Sequence, residues 1–221
     1  FVNHVLPSLT GLDNVTTIGG YLLITGNYAL TNLTGLEGLT SIMGDLSISE
    51  NDALTNLTGL EGLTSIGGSL LIANKSLAIM TGLDNLTSIG GDLWISNNDA
   101  MTNLTGLDNV TAIGGDLYVR KNDVLISLTG LDNLTSIGGV LLIKSNNSLT
   151  NFTEFDNLTS LVGGLDIGAN DVLISLTGLN NLTLIGGNLI IQENASITSL
   201  NGLEGLTSIW GDVYIRNNSA L

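Results

Sequence analysis

Carboxylates recur in the same position along the sequence and are the residues with the clearest potential for chemistry. One column of repeat positions holds Asp13, Glu37, Glu61, Asp84, Asp108, Asp132, Asp156 and Glu204. Two carboxylates in different environments could act as acid and base in glycoside hydrolysis. A repeating column gives every acid the same environment, and acids in turns commonly accept backbone N–H groups. We therefore predict a structural role for this column and no enzyme activity.

Other catalytic and metal-binding groups are scarce. The sequence has one histidine, His4, and no cysteine, so no Ser-His-Asp set, Cys-His set or thiolate metal site can be assembled. Asn-Asp pairs such as Asn51-Asp52 leave calcium as an alternative, because stacked carboxylates repel one another and an oxygen-liganded cation relieves that repulsion. We predict no cofactor and no metal site, and calcium stays the alternative.

The charge balance excludes several classes of partner. The net charge is −15, from 20 acidic and 5 basic residues. Such a surface repels nucleic-acid phosphates and anionic membranes. No apolar run reaches the roughly 18 residues that a bilayer span requires. We predict no nucleic-acid partner and no membrane insertion.

A repeat organises the whole chain. The segment Gly44-Asp45-Leu46-Ser47-Ile48 recurs every 24 residues, except for a spacing of 23 between Gly68 and Gly91. Seven columns of each repeat hold only apolar residues, which stacking would bury in one continuous core. The L-x-I pattern has the period of a β-strand, and successive strands must pair in parallel. We predict one solenoid domain over 1–221, an excerpt of a longer array of about nine coils.

The repeat L-x-I-x-x-N-x-x-L resembles a leucine-rich repeat, and the phrase I-G-G-x-L-x-I resembles the related receptor L domain. The resemblance implies an all-β, right-handed parallel solenoid with little or no α-helix, of the kind found in bacterial cell-surface proteins. It also implies an internal ladder of side chains that satisfy backbone groups. The ladder would consist of Asn27, Asn51, Asn98, Asn122, Asn146, Asn170, Asn194 and Asn218. In the shorter coil this column reads Lys75, so either Asn74 replaces it or the turn stays unsatisfied.

The outward positions of the predicted strands vary from coil to coil, which makes them candidates for recognition. Trp94, Tyr118 and Leu142 occupy one outward column, and Arg120 and Lys144 lie one outward position further on. Exposed aromatic residues beside charges indicate a binding patch. The alternative is that large residues simply stack well between strands. We predict that these five residues bind a protein or glycan ligand.

A column of threonines offers a different function. It includes Thr40, Thr64, Thr87, Thr111, Thr135 and Thr159. Regular threonine rows on a solenoid resemble ice-binding proteins, although threonine is also a good strand residue. The first prediction is a non-enzymatic, extracellular or cell-surface solenoid for adhesion or ligand recognition. An ice-binding solenoid and a structural spacer of a surface fibre are the alternatives, and the oligomeric state is not predicted.

Overall fold

Each coil contains one short strand and one long strand. The computed structural model describes residues 3–221. The short strands are Thr17–Ile18, Ser41–Ile42, Ser65–Ile66, Ser88–Ile89, Ala112–Ile113, Ser136–Ile137, Ser160–Leu161, Leu184–Ile185 and Ser208–Ile209. The long strands are Leu22–Thr25, Leu46–Ser49, Leu70–Ala73, Leu93–Ser96, Leu117–Arg120, Leu141–Lys144, Leu165–Gly168, Leu189–Gln192 and Val213–Arg216. The short 3₁₀ helix Thr153–Phe155 is the single helical element in these residues.

The short strands form one parallel sheet, and the long strands form a second. Each sheet has nine strands, ordered as they occur along the chain. The register keeps repeat positions opposite one another, as in Leu117 with Leu93 and Leu117 with Leu141. The structure thus confirms the predicted all-β parallel solenoid. Among residues 3–221 no helix is long and apolar enough to cross a membrane.

The apolar columns fill the space between the two sheets. In one central coil the inward residues are Leu93, Ile95, Met101, Leu104, Leu107, Val110 and Ile113, all at most 1% exposed. The long strands alternate buried and partly exposed residues, because successive side chains point to opposite faces of a strand. Stacking therefore buries a face that no single coil could bury alone.

A column of asparagine side chains lines the inside of the turn after each long strand. Asn122 is typical: its backbone N–H donates to Asn146 Oδ1 at 3.2 Å, and its Nδ2 donates to Ile95 O at 3.1 Å. These bonds satisfy backbone groups that would be costly to bury unpaired. The column consists of Asn27, Asn51, Asn74, Asn98, Asn122, Asn146, Asn170, Asn194 and Asn218.

The coil of 23 residues lacks the residue that joins the long strand to this ladder. In other coils the joining residue has a positive φ, as at Lys121 with φ 55°. After Leu70–Ala73 the chain passes directly to Asn74, whose Oδ1 accepts the Asn51 N–H at 3.0 Å. Asn74 therefore holds the position that spacing alone gives to Lys75, and Lys75 lies exposed.

A glycine turn follows the ladder, and one coil breaks the pattern. Gly130 has φ 110°, and a Cβ there would collide with Leu104 O of the coil before. Residues with a side chain rarely adopt this backbone conformation, so glycine is favoured here. In one coil Glu154 takes the glycine position, within the 3₁₀ helix, and is only 5% exposed. Its Oε1 accepts the Thr129 hydroxyl at 3.2 Å, whereas its Oε2 is buried without a partner among the described residues.

Candidate functional site

The sheet of long strands brings the five predicted binding residues together. Tyr118 pairs with Trp94 on one side and with Leu142 on the other, and Arg120 pairs with Lys144. Their side chains therefore occupy two adjacent outward columns, with neighbours about 4.8 Å apart along the solenoid axis. We call these residues the long-strand patch.

Trp94 and Tyr118 stack on each other. Their ring centroids are 4.0 Å apart and the ring planes are inclined by 34°. Side chains that stack across neighbouring strands cover each other's faces, so the outer surface presents mainly ring edges. Both residues are partly buried. The stack therefore contributes to cohesion between coils, the alternative that the sequence left open, as well as to the surface.

Two aspartates hold these rings in place. Trp94 Nε1 donates to Asp92 Oδ2 at 3.4 Å, and the Tyr118 hydroxyl donates to Asp116 Oδ2. That hydrogen bond, together with burial and the negative charges of Asp116 and Asp92, raises the pKa of Tyr118 to about 12. Tyr118 therefore stays protonated at neutral pH, and its hydroxyl proton is committed to Asp116.

Basic residues border the stack. Lys144 Nζ lies 2.6 Å from Asp166 Oδ2, reaching across Gly168, which offers no side chain in the way. Arg120 and Lys121 are exposed, and neither forms an ion pair with any residue of the described chain. Three of the five basic residues of the protein are thus gathered on one edge of a strongly acidic molecule.

These basic side chains line a shallow depression of about 300 Å³, whose lining includes Leu142 and Ser145. Lys121 was not predicted as a site residue, because sequence position places it beyond the strand. Its backbone φ of 55° turns the chain there and sets it beside Arg120. In the sequence, Lys121 directly follows Arg120, and this pair of adjacent basic residues could have indicated Lys121 as a site residue. The depression has the charge and the apolar floor to hold an anionic group.

The carboxylate column has a structural role. Glu61 Oε2, for example, accepts the Gly59 N–H at 2.8 Å. The same bond is made by Asp13, Glu37, Asp84, Asp108, Asp132 and Glu204. Asp156 is the exception, because Glu154 replaces the glycine two residues before it. No three His, Cys, Asp or Glu side chains within residues 3–221 are placed to hold a metal ion.

The threonine column lies exposed beside the short strands, and its hydroxyl groups face the backbone. Thr40 Oγ1 donates to Thr16 O at 2.9 Å, and Thr64 Oγ1 donates to Thr40 O at 3.0 Å. The same bond recurs further along the column, as between Thr135 and Thr111. Each of these bonds joins one coil to the next, which explains why threonine recurs without any ligand.

His4 lies on the exposed surface, with its ring 5.4 Å from that of Tyr28. No cysteine is present in the sequence. The arrangement offers surfaces for binding, and the acidic groups that recur are bonded to the backbone.

Comparison with known proteins agrees with this geometry. The model of the receptor L domain family matches residues 16–127, about half of the chain. Searches of curated proteins and of solved structures found no match.

Proposed function

This chain belongs to the receptor L domain family, and on that basis we propose that it recognises an anionic ligand through the long-strand patch together with Lys121. A receptor L domain is a non-catalytic, ligand-binding type of domain, and such domains are typically extracellular parts of receptors. Location at the cell surface, where the domain serves adhesion or recognition, is part of the proposal.

The gathering of basic residues is the observation that supports this function best. Arg120, Lys121 and Lys144 lie around one depression, whereas the protein as a whole has a net charge of −15. Arg120 and Lys121 form no ion pair within residues 3–221, so their charges remain available to an anionic partner. Leu142 in the same depression adds apolar surface, which a sugar ring or an aliphatic side chain can contact.

The proposal is tested by neutralising the two unpaired bases. The double variant Arg120→Gln with Lys121→Gln should lose binding to acidic polysaccharides such as dextran sulfate or polygalacturonate, measured by surface plasmon resonance. Each exposed ionic contact contributes on the order of 1 kcal/mol, so two together predict a loss of roughly tenfold or more. Binding by the natural protein should weaken as salt is added, because exposed charges are screened over about 10 Å at 0.1 M salt.

A matched control separates this effect from net charge. The double variant Lys75→Gln with Arg216→Gln removes the same number of charges at distant positions. It should keep the affinity of the natural protein. Equal losses in the two double variants would show that the patch is not the site. Both variants change exposed side chains, so their melting temperatures should stay close to that of the natural protein.

A further inference from the structure

A second column of hydrogen-bond acceptors lies at the residue before each long strand. Asp92 Oδ1 accepts the N–H of Asp116 at 2.8 Å, and Asp116 Oδ1 accepts the N–H of Val140 at 2.6 Å. Each bond joins one coil to the next through a side-chain oxygen. The same bond is made by Asp45, Ser69 and Asn188. The column is thus an outer counterpart of the inner asparagine ladder.

Two consecutive coils interrupt this column. Val140 and Gly164 have no side-chain oxygen, and the backbone N–H groups of Gly164 and Asn188 accordingly have no acceptor within residues 3–221. Gly164 is buried, and buried backbone N–H groups without a partner are rare in native proteins. The N–H of Asp45, opposite Tyr21, likewise has no acceptor within residues 3–221. Asp45 and Asn188 are both exposed to water, so Gly164 is the buried donor among these three.

The interruption opens a notch in the surface. In a regular coil a Cβ on Gly139 would collide with Asp116 Oδ1, so the glycine makes room for the acceptor. At Gly163 and Gly187 the corresponding nearest atoms belong to the backbone alone. The result is a cavity of about 440 Å³ whose lining includes these glycines, Gly164 and Asn188. We call it the glycine notch.

The walls of the glycine notch combine apolar and polar groups. Val140 and Ile190 contribute aliphatic surface, and Asp166 contributes a carboxylate. Asp166 Oδ2 is paired with Lys144 at 2.6 Å, whereas Asp166 Oδ1 has no partner among the described residues. Because the lysine compensates the aspartate, the notch offers donors and an acceptor without a net charge.

We infer that the glycine notch binds the acetamido group of an N-acetylated sugar. The carbonyl oxygen of that group takes the acceptor position that Val140 leaves open, where it accepts from Gly164 N–H. The acetamido N–H faces the Asp166 carboxylate, and the methyl group lies against Val140 and Ile190. A neutral ligand suits the compensated charge of the notch. The residues that line this site differ from those of the basic depression, which it touches only through the Lys144–Asp166 ion pair, so it goes beyond the proposed function.

The test titrates the natural protein with N-acetylglucosamine and its short oligomers while backbone amide resonances are recorded by NMR. The Gly164 and Asn188 amide signals should shift, and the unpaired amide of Asp45 serves as an internal reference that should not. Glucose, which lacks the acetamido group, should leave all three signals in place. Trialanine, a peptide without an N-acetyl group, should shift them weakly or not at all.

Val140→Asp supplies the missing acceptor from within the chain. Its carboxylate should accept the Gly164 N–H as Asp116 does for Val140, slow hydrogen exchange at that amide, and weaken sugar binding by about tenfold or more, the loss expected for one displaced hydrogen bond and a filled cavity. Tyr21→Asp is the matched control: it supplies an acceptor for the Asp45 N–H outside the notch, and it should keep the affinity of the natural protein. Arg120→Gln with Lys121→Gln should not change sugar binding either.

Three results would overturn the inference. The first is that neither amide signal moves with the acetylated sugar. The second is that Val140→Asp, with slowed exchange at Gly164, still binds the sugar as the natural protein does. The third is that trialanine shifts both signals more strongly than the sugar, which would assign the notch to a peptide. A loss of polysaccharide binding in the Arg120 and Lys121 variant with sugar binding intact would keep the two sites separate.

Discussion

Replacing Asn122 by alanine tests how much the inner ladder contributes to stability. Asn122 is fully buried, and its Oδ1 accepts both the N–H and the Nδ2 of Asn98 at 3.1 Å. Its Nδ2 donates to Ile95 O at 3.1 Å. The substitution leaves at least the Asn98 N–H and the Ile95 carbonyl without this partner. A buried group without a partner costs about 1–3 kcal/mol, so we expect a loss of about 2–6 kcal/mol.

Two measurements report this loss. Urea unfolding gives the global change, and native-state hydrogen exchange gives the local change at residues 95–98, because a solenoid can open coil by coil. Asn147→Ala is the matched control. Asn147 follows the ladder residue Asn146 in the corresponding turn of the next coil; it is exposed, and its side chain donates to Asp123 Oδ1 at 3.2 Å. The control should change stability by less than about 0.5 kcal/mol.

A companion variant separates hydrogen bonding from volume. Asn122→Asp keeps the size of the side chain and can still accept from Asn98, but it loses the donor and buries a charge. Burial raises the pKa of such a carboxyl, so the variant should be least stable at neutral pH and recover as pH falls and the acid is protonated. The reasoning is refuted if Asn122→Ala costs no more than the surface control, or if Asn122→Asp shows no dependence on pH.

Four further outcomes follow from the structure. Ile113→Ala should cost roughly 2–5 kcal/mol in urea unfolding, because this side chain is 1% exposed within the core. Burial raises the pKa of Glu154, so the stability linked to its protonated form is lost as pH rises. Glu154→Gln cannot ionise at this position, so its stability relative to the natural protein should increase from acidic to neutral pH. Urea midpoints measured across this range would show the difference. In alkaline absorbance titration, Tyr118→Phe should remove the tyrosine that ionises near pH 12 and leave earlier ionisations unchanged. Thermal hysteresis should be absent, because most threonines of the column donate their hydroxyl protons to the backbone, namely Thr40, Thr64, Thr87, Thr135, Thr183 and Thr207.

The period of the sequence was sufficient to predict the fold. Identical residues every 24 positions must occupy equivalent places, so L-x-I gave the strands, and the apolar columns gave the core. The receptor L domain resemblance rested on the same repeated phrases and is confirmed by the family match. Local rules also indicated that acids in turns bond to the backbone, as Glu61 does with Gly59.

Only the tertiary structure decided how side chains of different coils meet. Whether Trp94 and Tyr118 expose their faces or stack depends on the torsions of both side chains, which the period does not specify. Lys121 joins the basic residues because of the backbone turn at its own position. The unpaired N–H of Gly164 is visible only once the acceptor column of the neighbouring coil has been located in space. The physical reason is the same in each case: the repeat determines where a residue stands, but its partners lie about 24 residues away and are chosen by packing and hydrogen bonding between coils.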